Sequence, residues 1–406
     1  MGSRKRIILF LLAFFSILFL VVNPLPENQY SPTSDEGYYF HYASLISQKG
    51  MNAFPELIDW YAASEEALKH PAPTRVGYLL PLAFWFKITQ PTYSAIGSFS
   101  LLCFILFLLF SFYFCKKYFN IDMASLLTLL LSSSPLMMAM SRRALPDSTI
   151  NCIWGIVIWL FLDFLHGKKK ITYAVFVIVF SMAILIKESS IVLLPFFIIA
   201  ILSYQRLSGD KLKASYLWGT VAYPLIISFA LYFMILGGMG NVIKSSQAIW
   251  STHFNPHHSN PYAIYFSAGP WFRYLVDFML LIPITTLLFI GFFFHILMKR
   301  EGEWKIMYFW LYFVVVFGIL SSMAHTKVIR FAINLEMVIS LFSVFALYEI
   351  FKHQDNETRN RRVFIAAILI FFVNFLSFIN IFYLTGLLDP ISYHLFVLRK
   401  FIPPMH

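Results

Sequence analysis

Two adjacent carboxylates, Asp35 and Glu36, follow a long apolar segment in a chain of 406 residues that holds only 20 acids. Carboxylates that sparse in an apolar chain are candidates for proton transfer or for holding a cation. Thr33-x-x-Glu36 has the spacing of a capping box, so the sequence predicts a helix beginning near Asp35. A carboxylate there meets the positive end of the helix dipole, which favours the ionised form that a general base needs. A second acid stands in Ser141-Arg142-Arg143-Ala144-Leu145-Pro146-Asp147-Ser148, where Pro146 suits a first helical turn and places Asp147 at another helix start. That motif also reads as a plain cap with two arginines reaching toward lipid headgroups. Ile186-Lys187-Glu188-Ser189 interrupts an apolar run, either as a functional turn or as a solvated hairpin whose two charges compensate each other.

The cations Arg75, Arg142, Arg143, Lys187, Lys327 and Arg330 come from distant parts of the chain and fall at the ends of apolar runs. Together they are candidates for an anion site, since guanidinium forks and ammonium groups both bind phosphate. His70 lies in Lys69-His70-Pro71-Ala72-Pro73-Thr74-Arg75, and His253, His257 and His258 share one polar loop. These four histidines are candidates for facing a sugar or acceptor, or for a divalent metal. No carboxylate stands beside the last three, and their spacing fits no specific metal site.

The elements that must carry these residues are membrane helices. Hydrophobic residues make up 59% of the chain and charged ones 13%, and mean hydropathy is +0.72, which excludes a soluble globular protein. Cys103, Cys115 and Cys152 all lie in apolar runs and predict core packing rather than a disulfide framework. The net charge of +11 sits in short basic clusters between apolar segments, a pattern of membrane orientation and not of nucleic-acid binding.

Arg4-Lys5-Arg6 followed by an apolar stretch to residue 22 reads as an uncleaved first span with a cytoplasmic N-terminus. The next segment, 23–91, is then extracytoplasmic and carries interfacial helices: one from Asp35, a short amphipathic piece at 62–68, and a half-inserted one at 76–87. Further apolar runs at 92–115, 121–140, 147–166, 171–186, 188–204, 215–236, 271–298, 304–323, 331–351 and 363–386 bring the expected total to about 11 crossings. A transmembrane core at 92–236, a second extracytoplasmic loop at 237–270, and C-terminal spans with a short tail at 271–406 complete one all-α transmembrane domain. Chemistry is expected at the outer face.

The order of these features resembles that of the GT-C glycosyltransferases, in particular the protein mannosyltransferase and aminoarabinose transferase branch. The resemblance rests on Asp35-Glu36-Gly37-Tyr38-Tyr39 opening the first loop helix, the His70-Pro71-Ala72-Pro73 stretch, Ser134-Pro135 followed by Ser141 to Asp147, and Lys187-Glu188. It covers roughly residues 1–205 and is topological beyond them. It implies an integral enzyme of the plasma (bacterial inner) membrane that takes a sugar from a polyprenyl-phosphate carrier and gives it to a protein or glycolipid acceptor. Asp35 then maps onto the catalytic acid with Glu36 beside it, and Asp147 onto the second acid. Arg142 or Arg143, Lys187, and the pair Lys327 and Arg330 map onto contacts to the carrier phosphate. Aminoarabinose transferases carry a Glu-Lys-Pro-Pro whose glutamate is a metal ligand; Lys69-His70-Pro71-Ala72 stands here instead, a departure that leaves an inherited zinc site open, with a divalent metal the one cofactor considered. The chain ends near its last span, which leaves acceptor recognition to the loops.

A sugar phosphate already has a good leaving group, so the expected mechanism is one displacement with inversion, Asp35 taking the acceptor proton and cations neutralising the departing phosphate. Two other classes remain open: a lipid-carrier transporter or flippase, which needs a basic path across the bilayer, and a polymerase or ligase that leans on the second loop and its histidines.

Overall fold

The computed structural model describes residues 1–209, 212–253, 269–299, 303–323 and 327–385, and all regular structure among them is helical. In order these are α1 Ser3–Val22, α2 Asp35–Lys49, α3 Ala53–Ala63, α4 Val76–Thr89, α5 Tyr93–Tyr118, α6 Ile121–Ser132, α7 Pro135–Met140, α8 Asp147–Gly167, α9 Lys170–Ile186, α10 Leu193–Ser208, α11 Ala214–Ile235, α12 Met239–His253, α13 Arg273–Leu281, α14 Pro283–Lys299, α15 Trp304–Ser322, α16 Glu336–Ile350 and α17 Asn356–Phe378. Among the described residues, 8 helical segments are long and apolar enough to cross a membrane, and α4, α6, α9 and α14 are shorter apolar helices.

Most expected spans coincide with one helix, but two are divided. The run 121–140 splits into α6 and α7 because the hydroxyls of Ser132 and Ser133 turn back to the carbonyls of Leu129 and Leu130. Pro135 then has no N–H to continue the ladder and can only open a new helix, which Ser134 caps by accepting from the Met137 amide at 3.2 Å. The run 271–298 divides at Ile282, whose φ of −134° and ψ of 60° lie outside the helical region that a following proline disfavours.

Helix α2 begins at Asp35 as expected, with a different cap. Ser34, not Thr33, is the N-cap, and its hydroxyl accepts from the Glu36 amide at 3.4 Å. The Glu36 carboxylate therefore does not close a box on Thr33 but reaches the Ser31 amide at 3.2 Å. The short piece expected at 62–68 is replaced by α3, which buries Phe54, Leu57, Ile58 and Tyr61 at helical spacing, followed by a 3-10 turn at Ala67–Lys69.

The chain divides into two compact units. In the one formed by residues 24–107 and 141–268, α9 is central: it packs on α8, α11 and α4, while α2 lies on α4 and α12 on α3. The rings of Phe161, Phe176, Phe180 and Phe197 interlock between α8, α9 and α10 with centroids 4.5–5.1 Å apart for the pairs that join Phe197 to the others. In the unit formed by residues 1–23, 108–140 and 269–406, α6 packs on α1, α16 and α17, and α14 on α16. Here the first residue of α16, the fully buried Glu336, accepts a hydrogen bond from Ser134 Oγ.

Gly77 sets how closely α4 approaches the end of α9. A Cβ at Gly77 would stand 2.9 Å from both the Leu185 carbonyl carbon and the Ile186 amide nitrogen, atoms of a backbone that cannot move aside. Gly77→Ala is therefore expected to lower stability by about 1–3 kcal/mol, the usual cost of overpacking. Gly240→Ala on α12, where a Cβ meets nothing within 4 Å, is expected to leave stability unchanged or slightly raised. Thermal unfolding of the two variants in detergent compares them; equal melting temperatures would remove this close contact as a constraint on the fold.

Candidate functional site

The first acidic pair, the Ser141–Asp147 motif, the His70 stretch and the Lys187-Glu188 turn all belong to the unit built round α9. The tightest of their contacts joins Glu36 to Arg143. Arg143 Nε lies 2.8 Å from Glu36 Oε1 and Nη2 lies 2.9 Å from Oε2, a fork-to-fork pair with the carboxylate 2% and the guanidinium side chain 9% exposed. The Ala144 amide adds a bond to Oε1 at 3.1 Å and the Ser31 amide one to Oε2 at 3.2 Å. Four donors on two oxygens use the whole acceptor capacity of a carboxylate. Beside them, the buried Tyr30 hydroxyl donates to the Arg142 carbonyl at 3.0 Å and Ser100 Oγ to the Arg143 carbonyl at 2.9 Å, so the Arg142–Arg143 backbone is held on both sides.

Asp35, one residue away on α2, meets a different set of groups. Its Oδ1 lies 3.3 Å from His70 Nδ1, and its side chain is 28% exposed. The His70 ring is stacked on Tyr38 at 4.2 Å and 19°, and the Tyr61 and Tyr42 hydroxyls donate to the His70 and Pro71 carbonyls at 3.1 Å each. Burial pushes the Tyr42 phenol up, and Tyr61 is raised to about 12 by burial and then by the charge of Glu188, so both remain neutral donors near neutral pH.

Asp147 opens α8 with Pro146 before it, as the sequence predicts, and is buried. Its Oδ1 faces Lys187 Nζ at 3.4 Å. The neighbouring Glu188 turns to another segment: Thr74 Oγ1 donates to it at 3.2 Å and Arg75 Nε stands 3.7 Å away. Lys187 and Glu188 thus do not compensate each other, because the extended backbone at Lys187, with φ −155° and ψ 120°, sends adjacent side chains in opposite directions. Arg75 also donates to the Tyr39 hydroxyl and places its guanidinium carbon 5.6 Å from the centre of that ring.

Sequence reasoning singled out Glu188 only as half of a turn and passed over Thr74, Glu66, Tyr39, Tyr42 and Tyr61. Tyr38, Tyr39 and Tyr42, at three-and-four spacing after the acidic pair, were the signal available. Of the remaining candidates, Lys327 and Arg330 belong to the other unit, where Lys327 is buried and donates to the Gly269 carbonyl at 2.7 Å. His253 is the last residue of α12, and His257 and His258 lie outside the described residues. Among the described residues no three His, Cys, Asp or Glu side chains gather to hold a metal ion, and Lys69-His70 stands where the aminoarabinose transferase pattern has its glutamate ligand. No step below is routed through a metal.

Residues 70–248 match the model of the dolichyl-phosphate-mannose-protein mannosyltransferase family. The sequence matches no curated protein. Among solved structures, the chain is similar to the apo oligosaccharyltransferase of Archaeoglobus fulgidus, with a TM-score of 0.63 at 10% identity over 92% of this chain and 55% of that one. It is similar to the same organism's oligosaccharyltransferase AglB in complex with an inhibitory peptide and a dolichol-phosphate, with a TM-score of 0.61 at 10% identity over 93% and 55%. It is also similar to ArnT from Cupriavidus metallidurans bound to undecaprenyl phosphate, with a TM-score of 0.60 at 13% identity over 91% and 64%. The chain spans between 55% and 64% of the length of these structures. The likeness shows the fold, an all-helical GT-C architecture.

The Glu36–Arg143 contact gives the site a test of its own. Glu36→Gln leaves a buried guanidinium facing an amide that cannot balance its charge, a change that costs about 3–5 kcal/mol. A sharply lowered melting temperature is expected, with much of it recovered when both residues become Met. An unchanged melt of Glu36→Gln would mean that the pair does not hold the fold.

Proposed function

We propose that the protein is a membrane glycosyltransferase that moves a sugar from a polyprenyl-phosphate carrier to an acceptor hydroxyl at the extracytoplasmic face, with inversion at the anomeric carbon. The GT-C fold and the family match over residues 70–248 support the class. Undecaprenyl phosphate in ArnT and dolichol-phosphate in AglB support the carrier, and the peptide in AglB supports an acceptor held by the same fold. The basic connections between spans favour a cytoplasmic N-terminus, which puts the loop that bears Asp35 on the outer side.

The observation that carries the assignment is the division of labour between the two adjacent acids. Glu36 has no acceptor capacity left, whereas Asp35 stands partly exposed at the start of α2. Asp35 is therefore the base. It takes the proton of the acceptor hydroxyl as that oxygen bonds to the anomeric carbon; the bond from that carbon to the phosphate oxygen breaks, and the carrier phosphate leaves with the electron pair. The distances grade the cations in the same way. Arg143 is held at 2.8–2.9 Å by Glu36, while Lys187 stands 3.4 Å from Asp147 and Arg75 3.7 Å from Glu188. The carboxylate contacts of Lys187 and Arg75 are longer than those of Arg143, so a phosphate competes for Lys187 and Arg75 more readily than for Arg143. Asp147 orients the sugar or acceptor through the position of Lys187, and Arg142 completes the candidates for the carrier phosphate in this unit; Lys327 and Arg330 remain candidates in the other.

The test is transfer in proteoliposomes from a panel of radiolabelled polyprenyl-phosphate sugars. Asp35→Asn is expected to abolish turnover without lowering the melting temperature. Arg75→Ala and Lys187→Ala are expected to lower turnover by roughly 10²-fold, as when one charge-stabilising donor is removed, with Lys117→Ala, in the basic last turn of α5 on the side read as cytoplasmic, unaffected. Full turnover in Asp35→Asn removes it as the base. Labelled lipid that equilibrates across the bilayer with no donor consumed replaces the transferase by a carrier transporter.

A further inference from the structure

His70 is held in place more completely than a loop histidine needs to be. The prolines Pro71 and Pro73 stiffen the segment after it, two tyrosine hydroxyls fix its backbone, and Tyr38 covers one face of its ring. The side chain is 13% exposed, and the nitrogen it presents to α2, Nδ1, meets Asp35 Oδ1. An ionised carboxylate can only accept, so in that contact Nδ1 carries the proton, and in the neutral ring Nε2 holds the lone pair.

We propose that His70 is a positioning residue for Asp35: its Nδ1–H fixes one carboxylate oxygen and so aims the other at the acceptor hydroxyl. This rests on the reading of Asp35 as the base. The role requires the neutral imidazole. When the ring gains a second proton, it becomes a cation 3.3 Å from the carboxylate, which stabilises ionised Asp35 and weakens it as a proton acceptor. Transfer is then low where the ring is charged and higher where it is neutral.

The other groups around the ring do not supply such a change. Glu66 Oε1 stands 4.0 Å from Nε2 and is itself bonded to Lys69, which holds its carboxyl below the usual range and raises the Lys69 amine. On α2, burial raises the Tyr38 and Tyr42 phenols, and on α3 burial raises Tyr61. From α12, which packs on α3, Lys244 is paired with Asp59 at 2.5 Å.

The experiment is the pH dependence of kcat and of KM for the carrier-linked donor, in wild type and in His70→Ala, His70→Asn and His70→Gln, with melting temperatures recorded beside it. His70→Ala is expected to lose about 10²-fold in kcat, the lower end of what a positioned acid–base group contributes, with donor KM within about twofold. His70→Asn, whose amide nitrogen takes the place of Nδ1, is expected to recover most of kcat and to lose only the part of the acid limb that the imidazole's charge adds to that of Asp35; His70→Gln, which is too long to do so, is not. Wild-type kcat in His70→Ala overturns the proposal, as does an acid limb identical in His70→Asn and wild type, or a loss in His70→Ala explained by melting and not rescued by Asn. If Asp35→Asn itself turns over, the underlying assignment of the base has failed. If Asp35→Asn is inactive and His70→Ala is not impaired, this inference alone has failed.

Discussion

The buried pair of Glu36 and Arg143 is the constraint on which the site depends. Both partners are far from solvent, and each alone would be a charge that the apolar interior cannot tolerate. Their geometry satisfies the cost: the guanidinium fork meets both carboxylate oxygens, and two backbone amides fill the remaining lone pairs. Since Glu36 is on the first turn of α2 and Arg143 is in the link before α8, the pair ties together segments 107 residues apart in sequence. It also fixes Asp35, because a helix pinned at its second residue has little freedom at its first.

The tyrosines do for His70 what the pair does for Asp35. Tyr38 and Tyr42 lie on α2 and Tyr61 on α3, and their hydroxyls and rings reach the adjacent residues His70 and Pro71. A phenol that is buried keeps its proton, so these contacts persist over the working range of an enzyme. The result is a carboxylate and an imidazole whose mutual placement is set by helices and not by the loop that carries the histidine.

Much of this was legible in the sequence, and what was not has definite causes. The start of α2 at Asp35, the start of α8 at Asp147 after Pro146, and the break at Lys187 all follow from local rules of capping, proline and charge, and the structure has them. The cap itself was one residue off: Ser31, Thr33 and Ser34 all carry hydroxyls before the helix, and which one bonds is decided by the turn at Ser31–Ser34, where Ser34 Oγ donates to the Ser31 carbonyl. The divided helices at 132–135 and 282–283 were hidden because apolar composition runs straight through both breaks. The resemblance put the catalytic acid at Asp35, but the tie of Glu36 to Arg143 could not be read from local rules. Two adjacent acids look equivalent on paper, and only the position of Arg143, more than a hundred residues away, distinguishes them.

Pairing the site's cations with carboxylates has a consequence for catalysis in the proposed reaction. Asp147, buried, and Glu188, about half exposed, stand as counter-charges to Lys187 and Arg75. A carrier-linked sugar presents a phosphodiester with a single negative charge, and its departure leaves a phosphomonoester with more. Cations held loosely at 3.4 and 3.7 Å can follow that gain in charge, whereas a fork locked at 2.8–2.9 Å has already given its interaction to Glu36. Interactions that strengthen as the bond breaks lower the barrier, and those that are equal before and after do not. In the proposed reaction the longer pairs are therefore the ones assigned to the chemistry, while the Glu36–Arg143 fork ties α2 to the link before α8.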